Sequence, residues 1–225
     1  MLAAPAELTT AVEIGAVIAS ALSGMIVASQ KRLDVVGTAS LALVTAFGGG
    51  TLRDILLDRR PFFWDLRWEY VPALFVLAIA FGYSARFHRV ASAFAARLVL
   101  VDALGLALFS LTGVAYAREA HMSVFVAVLI GVLAGTGGGV LRDVLVNETP
   151  FLFLPGELYA TASFTGCWAA VGAAAAGLSA AAAGLIGFAT IVGLRMASVR
   201  YGMRVPAPLW VRERGGGPPA PRTPP

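Results

Sequence analysis

Two arginine–aspartate pairs, Arg53-Asp54 and Arg142-Asp143, each lie a few residues after three consecutive glycines, inside an apolar stretch. Ionisable side chains at membrane depth pair with one another, line an ion or substrate path, or rise to the interface. A helix that only anchors has no use for them. The two contexts are one sentence written twice: Gly48-Gly49-Gly50-Thr51-Leu52-Arg53-Asp54 returns 89 positions later as Gly137-Gly138-Gly139-Val140-Leu141-Arg142-Asp143. Each copy is followed at the same spacing by a Pro-Phe pair, Pro61-Phe62 and Pro150-Phe151. At the same offset Glu13 matches Asp102, Ser23-Gly24 matches Thr112-Gly113, and Tyr70 matches Tyr159.

Each of these residues has two readings. Three glycines weaken a helix and let the chain leave helical geometry. A break at Gly48–Gly50 and at Gly137–Gly139 would create half-helix N-termini facing a path near the midplane. The other reading is close helix packing. Adjacent residues on a helix point about 100° apart. Arg53 and Asp54 therefore need not pair with each other, and Arg53–Asp143 with Arg142–Asp54 is a symmetric alternative. Glu13 and Asp102 stand near helix starts, either as interfacial charges or as a cation-attracting ring at a mouth. Ser23, Thr45, Ser110 and Thr112 line a path or bond back to their own helix. For Tyr70 and Tyr159 a place at the membrane interface is the simpler account.

The elements that must position these groups are membrane helices. The 225 residues are 58% hydrophobic and 13% charged, and several apolar runs reach the roughly 20 residues that cross a bilayer. Helices are expected at about 8–29, 35–57, 70–85, 98–117 and 122–146. Between Leu158 and Leu194 no charge occurs for 37 residues. A single helix of that length would be about 55 Å long, nearly twice the hydrocarbon core, so two helices must turn near Gly177-Leu178-Ser179. The fold class is an all-α integral membrane protein with seven transmembrane helices. The transmembrane domain runs over about 8–200: repeat 1 at about 8–86, repeat 2 at about 97–177 and helix 7 at about 179–195. The basic, Pro-rich tail at 201–225 has the composition of a disordered segment.

Three helices per repeat is an odd number, so the second repeat enters the membrane from the opposite side. The result is an inverted 3+3 repeat plus one extra helix. Basic loop residues then sort eleven against four. Lys31, Arg32, Arg86, Arg89, Arg97 and six arginines from Arg195 onward face one side; Arg59, Arg60, Arg67 and Arg118 face the other. The positive-inside rule makes the C-terminus cytoplasmic, in a plasma (inner) membrane.

The lone Cys167 excludes an internal disulfide, and His88 and His121 offer no metal-ligand spacing. Neither a metal nor another cofactor is implied. The +4 charge marks topology rather than nucleic-acid binding. No nucleophile–base pair, Walker loop or nucleotide fingerprint is visible, so the chain reads as a non-enzyme whose surroundings are membrane lipids.

The doubled GGG-x-LRD motif with its Pro-Phe pair, in a 3+3+1 arrangement, resembles the prokaryotic branch of the trimeric intracellular cation channels (TRIC). That family has also been labelled as having a glycine-transporter-like domain. The resemblance covers about 11–200. It implies a homotrimer with an hourglass pore in each subunit, conducting potassium and other monovalent cations. It implies helices 2 and 5 broken at Gly48–Gly50 and Gly137–Gly139 and lining the pore, with Arg53, Asp54, Arg142 and Asp143 close by. Animal members carry a Lys-rich lipid-binding motif on the second repeat; here the stretch near Gly137 has only Arg142. The expected function is passive potassium conduction. Two other classes stay open: a secondary transporter of a small zwitterion such as glycine, and a structural membrane protein.

Overall fold

The computed structural model describes residues 6–64, 68–83, 98–154 and 158–203. The basic connection bearing Arg86, His88, Arg89 and Arg97, Arg67, and the tail from Arg204 onward lie outside the described residues. Among the described residues seven α-helices follow in order: α1 (Ala6–Gln30), α2 (Val35–Leu56), α3 (Tyr70–Tyr83), α4 (Leu98–Glu119), α5 (Val124–Leu145), α6 (Tyr159–Ala175) and α7 (Ala180–Tyr201). A 3-10 turn at Phe151–Phe153 joins α5 to α6. The stretches Thr10–Gln30, Val35–Leu56, Leu98–Glu119, Val124–Leu145 and Ala180–Tyr201 are long and apolar enough to cross a membrane. Large apolar side chains face outward along α2 and α5, among them Val36, Ile55, Leu56, Val144 and Leu145, as lipid contact requires.

The duplication extends to backbone detail. Asp34 accepts a hydrogen bond from Gly37 N (2.7 Å) to start α2, and the equivalent Ser123 accepts one from Val126 N (3.4 Å) to start α5. The turn before each cap passes through a left-handed residue, Arg32 (φ 54°) and its equivalent His121 (φ 58°). Each helix then ends through another such pair, Asp58 (φ 52°) and Asn147 (φ 56°). Arg59 N donates to Asp54 O (2.8 Å) and Glu148 N to Asp143 O (2.9 Å), which satisfies carbonyls that a helix end leaves open.

The repeats meet on a pseudo-two-fold axis where α2 crosses α5. A Cβ on Gly49 would overlap the carbonyl oxygen of Ala134, and one on Gly138 would overlap that of Thr45. Since Ala134 is the equivalent of Thr45, the contact is the same one made twice. Backbone touches backbone here, which only glycine permits.

This corrects the expectation that Gly48–Gly50 and Gly137–Gly139 break their helices. Both α2 and α5 run through the triplets without interruption. The balance of energies explains it. Each glycine costs about 1 kcal/mol in helix propensity, whereas each backbone group stripped of its partner in hydrocarbon costs several kcal/mol. Helix 7 also differs: it continues past 195 to Tyr201 and stops at Gly202, whose φ of 62° closes the C-cap. Arg195 and Arg200 therefore belong to α7 and not to a loop.

Replacing Gly49 with Ala is expected to lower the thermal unfolding midpoint of the purified protein, because overpacking costs about 1–3 kcal/mol. Replacing Gly193, around which a Cβ would meet nothing within 4 Å, is expected to leave the midpoint unchanged or raise it.

Candidate functional site

Each arginine of the doubled motif stands in the last turn of its helix, at a C-terminus that favours positive charge. Both are fully buried, with 0% exposure. Arg53 Nε donates to Asp54 Oδ1 (2.8 Å) and Arg142 Nε to Asp143 Oδ1 (2.9 Å). Neighbours in sequence do pair, against the cross-repeat alternative. The long guanidinium stem reaches back around the helix end, and the aspartate is held in place from its other side. Asp54 Oδ2 accepts from Phe62 N (3.0 Å), and Asp143 Oδ2 accepts from Phe151 N (3.2 Å). The Pro-Phe pair thus has a use: its phenylalanine N–H fixes the aspartate. Its ring lies 5.7 Å from the guanidinium in both copies.

Glu13 and Asp102 complete the two clusters. Arg53 Nη2 meets Glu13 Oε1 at 3.0 Å and Arg142 Nη1 meets Asp102 Oδ1 at 2.7 Å. Both carboxylates are 6% exposed, so neither is an interfacial charge. The reading of a ring open at a mouth is corrected likewise: these acids are engaged with arginines inside the bundle. Each cluster is closed by a hydroxyl from the other repeat. Arg53 Nη1 donates to Thr112 Oγ1 (3.4 Å), and Arg142 Nη1 donates to Ser23 Oγ.

Glu13 and Ser23 lie ten residues apart on α1, about 15 Å along its axis. The two clusters therefore sit at opposite depths, with the glycine crossing between them. Each ion-paired set holds two carboxylates for one arginine. Among the other polar candidates, Thr45 bonds back to Leu41 O (2.6 Å) and Ser110 meets Ser163 at 2.7 Å.

Beyond these pairs the two ends diverge. Tyr116 lies between Arg53 (4.4 Å to the ring centroid) and Arg59 (4.1 Å). At the other end Arg195, 0% exposed, packs over Tyr159 at 4.9 Å. Tyr159 is itself buried, which corrects its placement at the interface. A hydrophobic run that ends in an arginine still in helical register is the one sequence signal that pointed to Arg195. For Tyr116 the offset gave none, because its equivalent is Val27. Lys31 and Glu148, both partly exposed, pair across the repeats at the end bearing Ser23 and Arg142.

Fold and site together define a multi-pass helical membrane protein built by inverted duplication around buried arginine–carboxylate clusters. A family described as "Glycine transporter" matches the chain twice, at 10–86 and 99–175. The chain is 36% identical over 187 residues to a UPF0126 membrane protein of Vibrio cholerae, covering 83% of this chain and 77% of that one. It is 35% identical over 194 residues to the UPF0126 inner membrane protein YadS of Escherichia coli, covering 83% and 89%. Among solved structures it is similar to the TRIC trimeric intracellular cation channel orthologue from Rhodobacter sphaeroides (TM-score 0.76, 33% identity, 87% and 99% covered). It is also similar to a prokaryotic TRIC channel solved in 0.5 M KCl (TM-score 0.77, 28% identity, 87% and 98% covered). The chain belongs to the TRIC family.

Arg142→Gln is expected to destabilise the protein by about 3–5 kcal/mol, since it leaves buried carboxylates uncompensated. Arg142→Lys rescues little, because an ammonium cannot present the guanidinium's fork. Glu148→Gln, at a partly exposed pair, changes stability by about 0–1 kcal/mol. Thermal or denaturant unfolding of the three purified variants in one detergent checks the order.

Proposed function

We propose that the protein is a passive channel for monovalent cations, potassium foremost, acting as a homotrimer in the inner membrane with its C-terminus in the cytoplasm. The observation that carries this reading is the pair of buried clusters. Each holds two carboxylates against one ion-paired arginine, and they sit at matching depths on either side of the α2–α5 crossing. A cation entering from either side meets the same pair of carboxylates, Glu13 with Asp54 or Asp102 with Asp143, each pair held by its arginine. Paired charge also costs less at this depth than isolated charge. The solved relatives are described as cation channels, one of them as trimeric, and one curated relative as an inner membrane protein. Gly49 and Gly138 bring two backbones into contact, so no path passes through the crossing itself. The pore role of the glycines is therefore to set the spacing of α2 and α5.

Arg195 no longer counts among the loop charges. The orientation rests on Lys31 and Arg32, with the arginines outside the described residues, against Arg59, Arg60, Arg67 and Arg118.

The description of the matching family favours a second reading, uptake of a small zwitterion such as glycine. Its physical basis was a half-helix N-terminus for the substrate carboxylate. Unbroken helices at both triplets provide none there.

Purified protein in a planar bilayer under a potassium chloride gradient is expected to give unitary currents that reverse near the potassium equilibrium potential. Reversal near the chloride potential, or silence from folded protein that takes up glycine saturably in vesicles, would overturn the reading.

A further inference from the structure

Each motif connector begins against the other repeat, and the two are built alike. Leu57, where the α2–α3 connector starts, shares an apolar cluster with Ala117 of α4 and Ile130 of α5. Its equivalent Val146 packs against the cluster of Ala28 of α1 and Leu41 of α2. Both backbones are tied to the aspartate of their own motif, Asp54 or Asp143, through matching hydrogen bonds. In this shared frame one position changes sign: Arg59 and Glu148 are equivalents. Arg59 is exposed and stacks on Tyr116 of α4. Glu148 instead pairs with Lys31, the residue that follows α1. The pair is open to water, with relative exposure of 39% for Lys31 and 34% for Glu148. It lies outward of the Arg142 cluster. Ser23, which closes over Arg142, stands eight residues before Lys31, about 12 Å along the helix axis. Glu148 N donates to Asp143 O (2.9 Å). The end of α1 and the α5–α6 connector both reach this cluster, and one exposed ion pair joins them further out.

An exposed ion pair adds little to stability, so its charge matters more than its strength. Charged side chains at the mouth of a path raise or lower the local concentration of the permeant ion. They act through water over about 10 Å at 0.1 M salt, without touching the ion. We propose that Glu148 is the cation-collecting carboxylate of this mouth and that Lys31 holds it in check, so that the pair sets how readily a monovalent cation enters from this end. The proposal rests on the cation-channel reading. As they stand, Lys31 and Glu148 cancel. At the opposite mouth the equivalent position carries Arg59, whose charge repels cations. The buried carboxylate pairs match from end to end, and the approaches to them do not.

Charge reversal tests the assignment. Unitary currents are recorded in symmetric potassium chloride at about 0.1 M, where the screening length is about 10 Å, and at about 1 M, where it is about 3 Å. At the lower concentration Lys31→Glu is expected to raise the current in one direction about two-fold over wild type, and Glu148→Lys to lower it about two-fold. Each leaves the other direction as in wild type. The double variant Lys31→Glu with Glu148→Lys rebuilds the pair in reverse and is expected to match wild type in both directions. At about 1 M all four proteins converge. A pair with a structural role alone would move the unfolding midpoint of the single variants, with no direction and no salt dependence in the current. Should a charge-reversed variant not fold, Lys31→Gln and Glu148→Gln carry the same comparison at half the change in charge. Effects equal in both directions, effects that persist at about 1 M, or a double variant no closer to wild type than the single ones overturn the role of the pair and keep the channel. Silence from folded wild type overturns the channel reading, and the role of the pair with it.

Discussion

The backbone contact between α2 and α5 at Gly49 and Gly138 is the constraint on which the rest depends. Two helices that touch through their main chains fix a single distance and a single rotation between the repeats. That geometry delivers Arg53 and Arg142 to their partners. Thr112 reaches Arg53, and Ser23 reaches Arg142, from the opposite repeat in each case. A side chain at either glycine would push α2 and α5 apart. The hydroxyls would then lose the guanidinium groups that they close over.

Burial on this scale is tolerable because each motif arginine is answered by two carboxylates. Each arginine meets a carboxylate from its own helix and another from the first helix of its own repeat. Each aspartate of the motif is also held by a backbone N–H from the connector. The cost of desolvating several charges is high, and it is offset only when geometry and hydrogen bonding are both good. The motif therefore spans the glycines, the Arg-Asp pair and the Pro-Phe pair as one physical unit. The glycines set the depth of the crossing, the arginine holds the carboxylates, and the phenylalanine N–H holds the aspartate.

Duplication gives the two ends the same skeleton, and divergence gives them different surroundings. Tyr116 and Arg59 gather over Arg53 at one end, while Tyr159 and Arg195 gather over Arg142 at the other. The latter depends on α7, the helix without a counterpart, which packs against α4 and α6. An extra helix thus changes the chemistry of one cluster and leaves the other untouched.

Much of this was present in the sequence. The repeat offset, the seven helices, the turn near Gly177 and the equivalence of Glu13 with Asp102 all follow from residue order, because period and hydrophobic length are one-dimensional properties. The shared turns at Arg32 and His121 follow from the same offset. What the order of residues could not decide is which way each side chain resolves a choice between two low-cost partners. Arg53 had Asp54 and Asp143 as candidates; only the packed bundle brings Asp54, Glu13 and Thr112 within reach together. The glycine triplets read as helix breaks, with close packing as the other reading. The tertiary structure decided for contact, because a partner helix at backbone distance rewards continuous helix, and an open break in hydrocarbon has nothing to satisfy its polar groups. Arg195 looked like the first residue of a basic tail, and only the packing of α7 turned it inward. The sequence by itself determined the elements and their two-fold repetition, since these are written in periodicity. The distances among buried charges were decided by the fold, since they depend on how closely two helices can approach.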